Sequence, residues 1–182
     1  MTDQTTPHPA APVQAQGPAA AGLQPFTLVL ATVVVLVDQA TKAIVRSTLP
    51  LHDSVTVIPG LVELTHVRNT GAAFGILNAA DFPYKAAVIA LVATIALASI
   101  AIYTARLSPH QSLARLGLAL ILGGAAGNLI DRVTAGFVLD FVDVHWGEYH
   151  FWAFNVADAA ITVGVVGMLL DMVRTGDRPA QP

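Results

Sequence analysis

Four stretches of this chain stay apolar long enough to cross a bilayer, which takes about 20 residues of helix at about 1.5 Å each. The first runs from Phe26 to about Arg46; it is apolar through Val37 and then carries Asp38 and Lys42. The second, Ala86 to Ala105, holds no charge. The third, Leu116 to Ile130, is short, and its last turn is expected to extend to Asp131 and Arg132. The fourth, Phe151 to Leu170, contains a single charge, Asp158, about two turns in. An even number of spans puts both termini on one side.

The remaining segments follow other patterns. SVTVIPGLVELTHV alternates around Pro59-Gly60, which predicts a short hairpin or sheet. RNTGAAFGIL follows, with glycines that allow the backbone to come close to a ligand. FVDVHWGEYHFW, between the third and fourth spans, is rich in aromatics, and Trp146, Tyr149 and Trp152 suit a membrane–water interface. Residues 1–25 are rich in Pro, Ala and Gln without Lys or Arg and read as a disordered tail, as do residues 175–182. A secretory signal peptide would need a basic region before its apolar stretch, so the first span is expected to be retained as a helix. The expected organisation is one all-α membrane domain over 26–174, with four transmembrane helices and a β-rich insertion at about 50–78.

Composition agrees. Of 182 residues 54% are hydrophobic and 12% charged, against about 25% charged in a soluble domain. A net charge of -3 with no basic patch argues against a nucleic-acid partner. With no cysteine, thiolate chemistry, disulfides and Cys-based metal sites are excluded. Lys and Arg fall on both sides of the spans, so their bias sets no orientation.

The chemistry therefore rests on the few polar groups in apolar surroundings. Asp38 and Lys42 stand i,i+4 and can pair, as a structural ion pair or as a prop for a nearby site. Asn128 and Asp131 share a helix face, and Asp131 can hold Arg132 or hydrogen-bond a loop. Asp140 sits between Phe137-Val138-Leu139 and Phe141-Val142, where an unpaired carboxyl is expected to be hard to ionise. A cap or a loop hydrogen bond is the plainer role for it. Asp158, with Asn155 three residues before it, must face protein, water or a partner, because an uncompensated charge there costs several kcal/mol. Two carboxylates brought together share one proton: the ionised one activates water and the protonated one polarises a peptide carbonyl. HExxH and GxSxG are absent, which disfavours zincin and serine-hydrolase chemistry. Carboxylate-bound Mg²⁺ or Ca²⁺ is disfavoured because Lys42 and Arg132 compete for the same oxygens. No metal or cofactor is expected.

VDQATKAIV, RNTGAAFGIL, GGAAGNLIDR, VLDF and FNVADAAI occur in this order over residues 37–161. Together they resemble the five signature blocks of lipoprotein signal peptidase (signal peptidase II). The resemblance implies a bacterial inner-membrane aspartic endopeptidase with four helices, cytoplasmic termini and a small β-cradle on the outer side. It implies cleavage of prolipoproteins just before a cysteine carrying diacylglycerol, so the partners are lipid-modified prolipoproteins and membrane lipids. A monomer is expected. The family's catalytic aspartates fall on Asp140 and Asp158. Asn128, Asp131, Arg132 and Asn155 match the supporting cluster, Asn69 and Gly71 the loop that shapes the substrate pocket, and Asp38 and Lys42 the first block. The long N-terminal tail departs from the family pattern without touching the motifs.

Asp131 also stands in a signature block, and the sequence leaves it open as the partner of Asp158. Asp140 is the better candidate because Asp131 has Arg132 and Asn128 at hand. A packing role is expected for Gly123 and Gly127. Two other classes fit the same charges: a small ion or proton transporter that uses Asp158, and a structural membrane scaffold.

Overall fold

The computed structural model describes residues 22–71, 82–107 and 111–176. Residues 1–21 and 177–182, and with them most of both expected tails, lie outside the described residues, as does the AAFGIL part of the second block.

Four helices are long and apolar enough to cross a membrane: α1 (Pro25–Thr48), α2 (Lys85–Ala105), α3 (Ser112–Ala135) and α4 (Val156–Gly176). Each has large apolar side chains pointing outward, such as Leu36, Ile95 and Val173, as a lipid-facing surface requires. α3 is the hub and packs against the other three. Its glycines let the neighbours in: a Cβ on Gly123 would lie 2.7 Å from the Ala31 carbonyl of α1. α3 runs to Ala135, three residues beyond Arg132, and stops at Gly136, whose φ of +80° reverses the chain while its N–H donates to the Arg132 carbonyl.

A four-stranded antiparallel sheet, in the order β1-β2-β3-β4, sits at the end of the bundle where α1 and α3 finish and α4 begins. β1 (Ser54–Ile58) and β2 (Val62–Asn69) form the expected hairpin around Pro59-Gly60. The other half of the sheet lies outside the expected insertion. FVDVHWGEYH, read as an aromatic interfacial loop, forms β3 (Val138–Trp146) and β4 (Tyr149–His150). β3 pairs with β2, placing Asp140 opposite Val67 and Val138 opposite Asn69. Leu139 and Phe141 of β3 bury themselves with Val45 of α1, and Leu64, Val142 and Val156 pack around them. This plug fixes the sheet to the bundle.

The fourth span begins later than expected. Phe154 exchanges backbone hydrogen bonds with Val142 at 2.8 and 3.0 Å, so residues 151–154 run beside β3 and the helix starts at Val156. Asp158 therefore stands in the first turn of α4 rather than two turns inside it.

Candidate active site

The structure brings all ten predicted site residues to the junction of α1, α3, β2, β3 and α4. They separate into two layers.

The inner layer is ionic. Asp38 and Lys42 on α1 have no exposed surface, and Asp131 on α3 is 2% exposed. Lys42 Nζ lies 2.9 Å from Asp38 Oδ2, 2.9 Å from Asp131 Oδ2 and 3.0 Å from Asn128 Oδ1. All three ammonium donors thus have a partner, which a buried lysine requires. The i,i+4 pairing of Asp38 with Lys42 is as expected. Of the two roles open to Asp131, the pairing with Arg132 is not made: neighbours in a helix point apart, and Arg132 instead donates to the carbonyls of Asn128 at 3.2 Å and Gly71 at 3.0 Å.

Each inner carboxylate also accepts a backbone N–H. Asp38 Oδ1 takes the Ala157 amide at 3.0 Å, one of the otherwise unpartnered donors in the first turn of α4. Asp131 Oδ2 takes the Leu139 amide of β3 at 3.2 Å. Gln39, which sequence reasoning passed over, donates at 3.2 Å to Asp38 Oδ2, the Gly127 carbonyl and Asp131 Oδ1. Gly127 does more than pack, because a Cβ there would lie 2.6 Å from Asp38 Oδ2 and displace the carboxylate.

The outer layer holds Asp140 and Asp158, and its polar partners are amides. Asp140 is 3% exposed. Its Oδ1 accepts from Asn155 Nδ2 at 2.7 Å and its Oδ2 from Asn69 Nδ2 at 3.0 Å. Asp158 Oδ1 accepts from Asn128 Nδ2 at 2.8 Å, and its Oδ2 from the Asn155 N–H at 3.2 Å. The Asp158 N–H in turn donates to Asn155 Oδ1 at 3.0 Å. That reciprocal pairing across three residues is a capping box, which explains why α4 starts where it does. Asn155 therefore touches both carboxylates, one through its side chain and the other through its backbone.

The asparagines are oriented by what lies behind them. Asn69 Oδ1 accepts the Gly71 N–H at 3.0 Å, so its amide N–H group faces Asp140. Gly71 is held through its carbonyl by Arg132. Asn128 Oδ1 accepts from Lys42, which turns its N–H group towards Asp158.

Burial first, and then the nearby charge of Asp158, push the Asp140 carboxyl up to about 7; the hydrogen bonds from Asn69 and Asn155 oppose the shift. Asp140 and Asp158, with Asn69, Asn128 and Arg132, line a cavity of about 680 Å³. Apart from Thr162, the rest of its described wall is apolar, including Val88, Val92 and Ala96 of α2 and Phe151, Trp152 and Phe154. Trp152, expected at the membrane interface, is thus also part of the cavity wall. Asp131 is not among the lining residues and is engaged by Lys42, Gln39 and Leu139, so the geometry favours Asp140 as the partner of Asp158. The α2 and 151–154 contributions carry no signal in the sequence beyond apolarity.

In comparison with known proteins, a family model described as signal peptidase (SPase) II matches residues 30–174. A lipoprotein signal peptidase of Geobacter metallireducens is 47% identical over 156 residues, covering 86% of this chain and 94% of that protein. One from Syntrophotalea carbinolica is 48% identical over 151 residues, 83% and 92% of the two chains. Two solved bacterial membrane enzyme structures share the fold. One has a TM-score of 0.72 at 32% identity, covering 89% of this chain and 96% of its own. The other has 0.74 at 29%, covering 85% and 96%. With these neighbours and four spanning helices, the protein is a multi-pass membrane protein. The chain belongs to the signal peptidase II family of proteases.

Proposed function

We propose that this protein removes the signal peptide from diacylglyceryl-modified prolipoproteins, cleaving before the lipidated cysteine, with Asp140 and Asp158 activating water. The observation that carries the reading is the outer layer itself: two carboxylates from different elements, each held by amides, facing one apolar cavity. Membership of a protease family sets aside the transporter and scaffold readings.

The chemistry follows from the environments. Below about pH 7 Asp140 holds the proton that the pair shares. Asp158, with hydrogen bonds from Asn128 and the Asn155 backbone, is the ionised base that takes a proton from the attacking water. Asp140 polarises the scissile carbonyl and, as the tetrahedral intermediate collapses, a proton passes from the pair to the leaving amine. Asn69, Asn128 and Asn155 keep both carboxylates aimed while these protons move. The remaining predicted residues, Asp38, Lys42, Gly71, Asp131 and Arg132, hold that arrangement from behind.

The substrate class suits the cavity. Acyl chains partition into lipid at about 0.8 kcal/mol per CH₂, so a diacylglyceryl anchor keeps the substrate in the membrane while its peptide reaches a polar site at the end of the bundle. The location follows as a bacterial inner membrane, with cytoplasmic termini and the sheet and dyad near the outer face.

The test is cleavage of a diacylglyceryl-modified lipobox peptide by purified protein in detergent, with the products read by mass spectrometry. A new N-terminus at the modified cysteine is expected, lost in folded Asp140→Asn and Asp158→Asn. Absence of cleavage by folded wild-type protein, or cleavage elsewhere, contradicts the proposal.

A further inference from the structure

Lys42 lies in a transmembrane helix, has no exposed surface, and is in contact with neither outer-layer aspartate. Its two carboxylate partners hold the Ala157 and Leu139 amides, the residues immediately before Asp158 and Asp140 in the chain. One ammonium group therefore stands behind two backbone anchors, one on α4 and one on β3. Gln39 ties the same two carboxylates together from the other side, with the Gly127 carbonyl as its third contact.

We infer that Gln39 and Lys42 are positioning residues which, through Asp38 and Asp131, lock the Ala157 and Leu139 amides and so set the spacing between the two aspartates of the proposed dyad. The inference rests on the proposed peptidase reading and adds to it a coupling between the halves of the dyad. Each amide needs an acceptor that stays fixed. Asp38 and Asp131 are both buried, and the Lys42 ammonium between them holds the two carboxylates in place. Loosening that cation or the Gln39 bridge releases both anchors at once. The near-attack geometry of two carboxylates and a water tolerates little misplacement: a shift of about 1 Å costs about 10²-fold in rate.

The consequence is a joint response. Backbone amide exchange at Leu139 and Ala157, followed by NMR on the detergent-solubilised full chain, should speed up at both sites together in Gln39→Leu and more strongly in Lys42→Met. On the lipobox peptide, kcat should fall about tenfold in Gln39→Leu and about 10²-fold or more in Lys42→Met, with KM within about twofold, because neither residue lines the cavity. Val34→Ala is the control. Val34 is a buried α1 residue against Gly123, and its apolar side chain can bond neither amide nor either inner carboxylate, so its loss lowers the thermal midpoint while exchange at the two amides and kcat hold. If Lys42→Met does not fold, Gln39→Leu decides, since Gln39 is only half-buried. Faster exchange at one amide alone or at neither, or unchanged kcat with both amides released, overturns the inference. The exchange measurement needs no substrate, so it stands apart from the cleavage test: failure of wild type to cleave removes the peptidase reading and leaves the amide result to be judged separately.

Discussion

Four buried or half-buried aspartates meet at the end of this bundle, and they divide into two pairs. Asp38 and Asp131 flank a lysine, and each also holds a backbone amide of another element. Asp140 and Asp158 have no lysine or arginine in ion-pair contact among the described residues; asparagine side chains and one backbone amide hold them, and both face the cavity. Under the proposed function, the difference separates structure from chemistry. A carboxylate with a cation against it is held in one place. A carboxylate held by neutral donors is oriented and is still able to gain or lose a proton.

Removing the cation from the inner pair should have the largest effect on folding. Lys42→Met leaves two buried carboxylates uncompensated, and breaking a buried pair costs about 3–5 kcal/mol. Denaturant unfolding in detergent should show a loss of that order. A loss below about 1 kcal/mol would mean that the inner layer does not hold the fold.

The outer pair should respond to pH in the opposite sense to an ordinary paired aspartate. The Asp140 carboxyl moves from 3.8 when unfolded to about 7 when folded. The folded protein then binds more protons between those values, so stability falls as pH rises from about 4 to about 7 and levels off above. The shift bounds the effect at about 4 kcal/mol, at about 1.4 kcal/mol per unit. Unfolding of Asp140→Asn should lose this slope, and a wild-type slope that rises through the same window would contradict the assignment. Activity should decline above about pH 7 as the shared proton leaves.

A smaller change separates the layers sterically. Gly127→Ala puts a methyl 2.6 Å from Asp38 Oδ2 and should cost about 1–3 kcal/mol of stability, as overpacking does. The smallest expected effect on stability is at the outer rim. Asn69→Ala removes one hydrogen bond to a carboxylate, worth about 1.5–3 kcal/mol if it acts fully in the transition state, so kcat should drop about 10- to 10²-fold while the thermal midpoint holds. An Asn69→Ala protein that unfolds early and keeps its kcat would reverse the division between the layers.

The sequence shows the spans and the first hairpin through their apolar patterns, and Asn128, Asp140, Asn155 and Asp158 as polar residues set in apolar runs; Asn69 is legible only through its match to a family block. It does not show the second half of the sheet. VDVHW alternates like a strand, but its aromatics also suit a membrane interface, and a short segment does not separate the two. The start of α4 is hidden for a related reason: Phe151–Phe154 is as apolar as the helix behind it, and only its pairing with Val142 makes it extended. The Lys42–Asp131 pair joins residues far apart in the chain, so the local i,i+1 neighbour Arg132 looks like the partner of Asp131 until the helices are packed. Gln39 has no local signature at all; its role exists only where α1 meets α3.

The central division is tested most directly by Asp131→Asn beside Asp140→Asn, with unfolding and lipobox-peptide cleavage measured on the same preparations. Asp140→Asn is expected to be as stable as wild type or more so at pH 8 and to have lost at least about 10³-fold in kcat. Asp131→Asn is expected to be destabilised and, in the fraction that stays folded, to lose kcat by about 10²-fold through the loosened Leu139 anchor, less than Asp140→Asn loses. A folded, fully stable Asp131→Asn without activity, next to an active Asp140→Asn, would move the dyad to Asp131 and contradict the two-layer assignment.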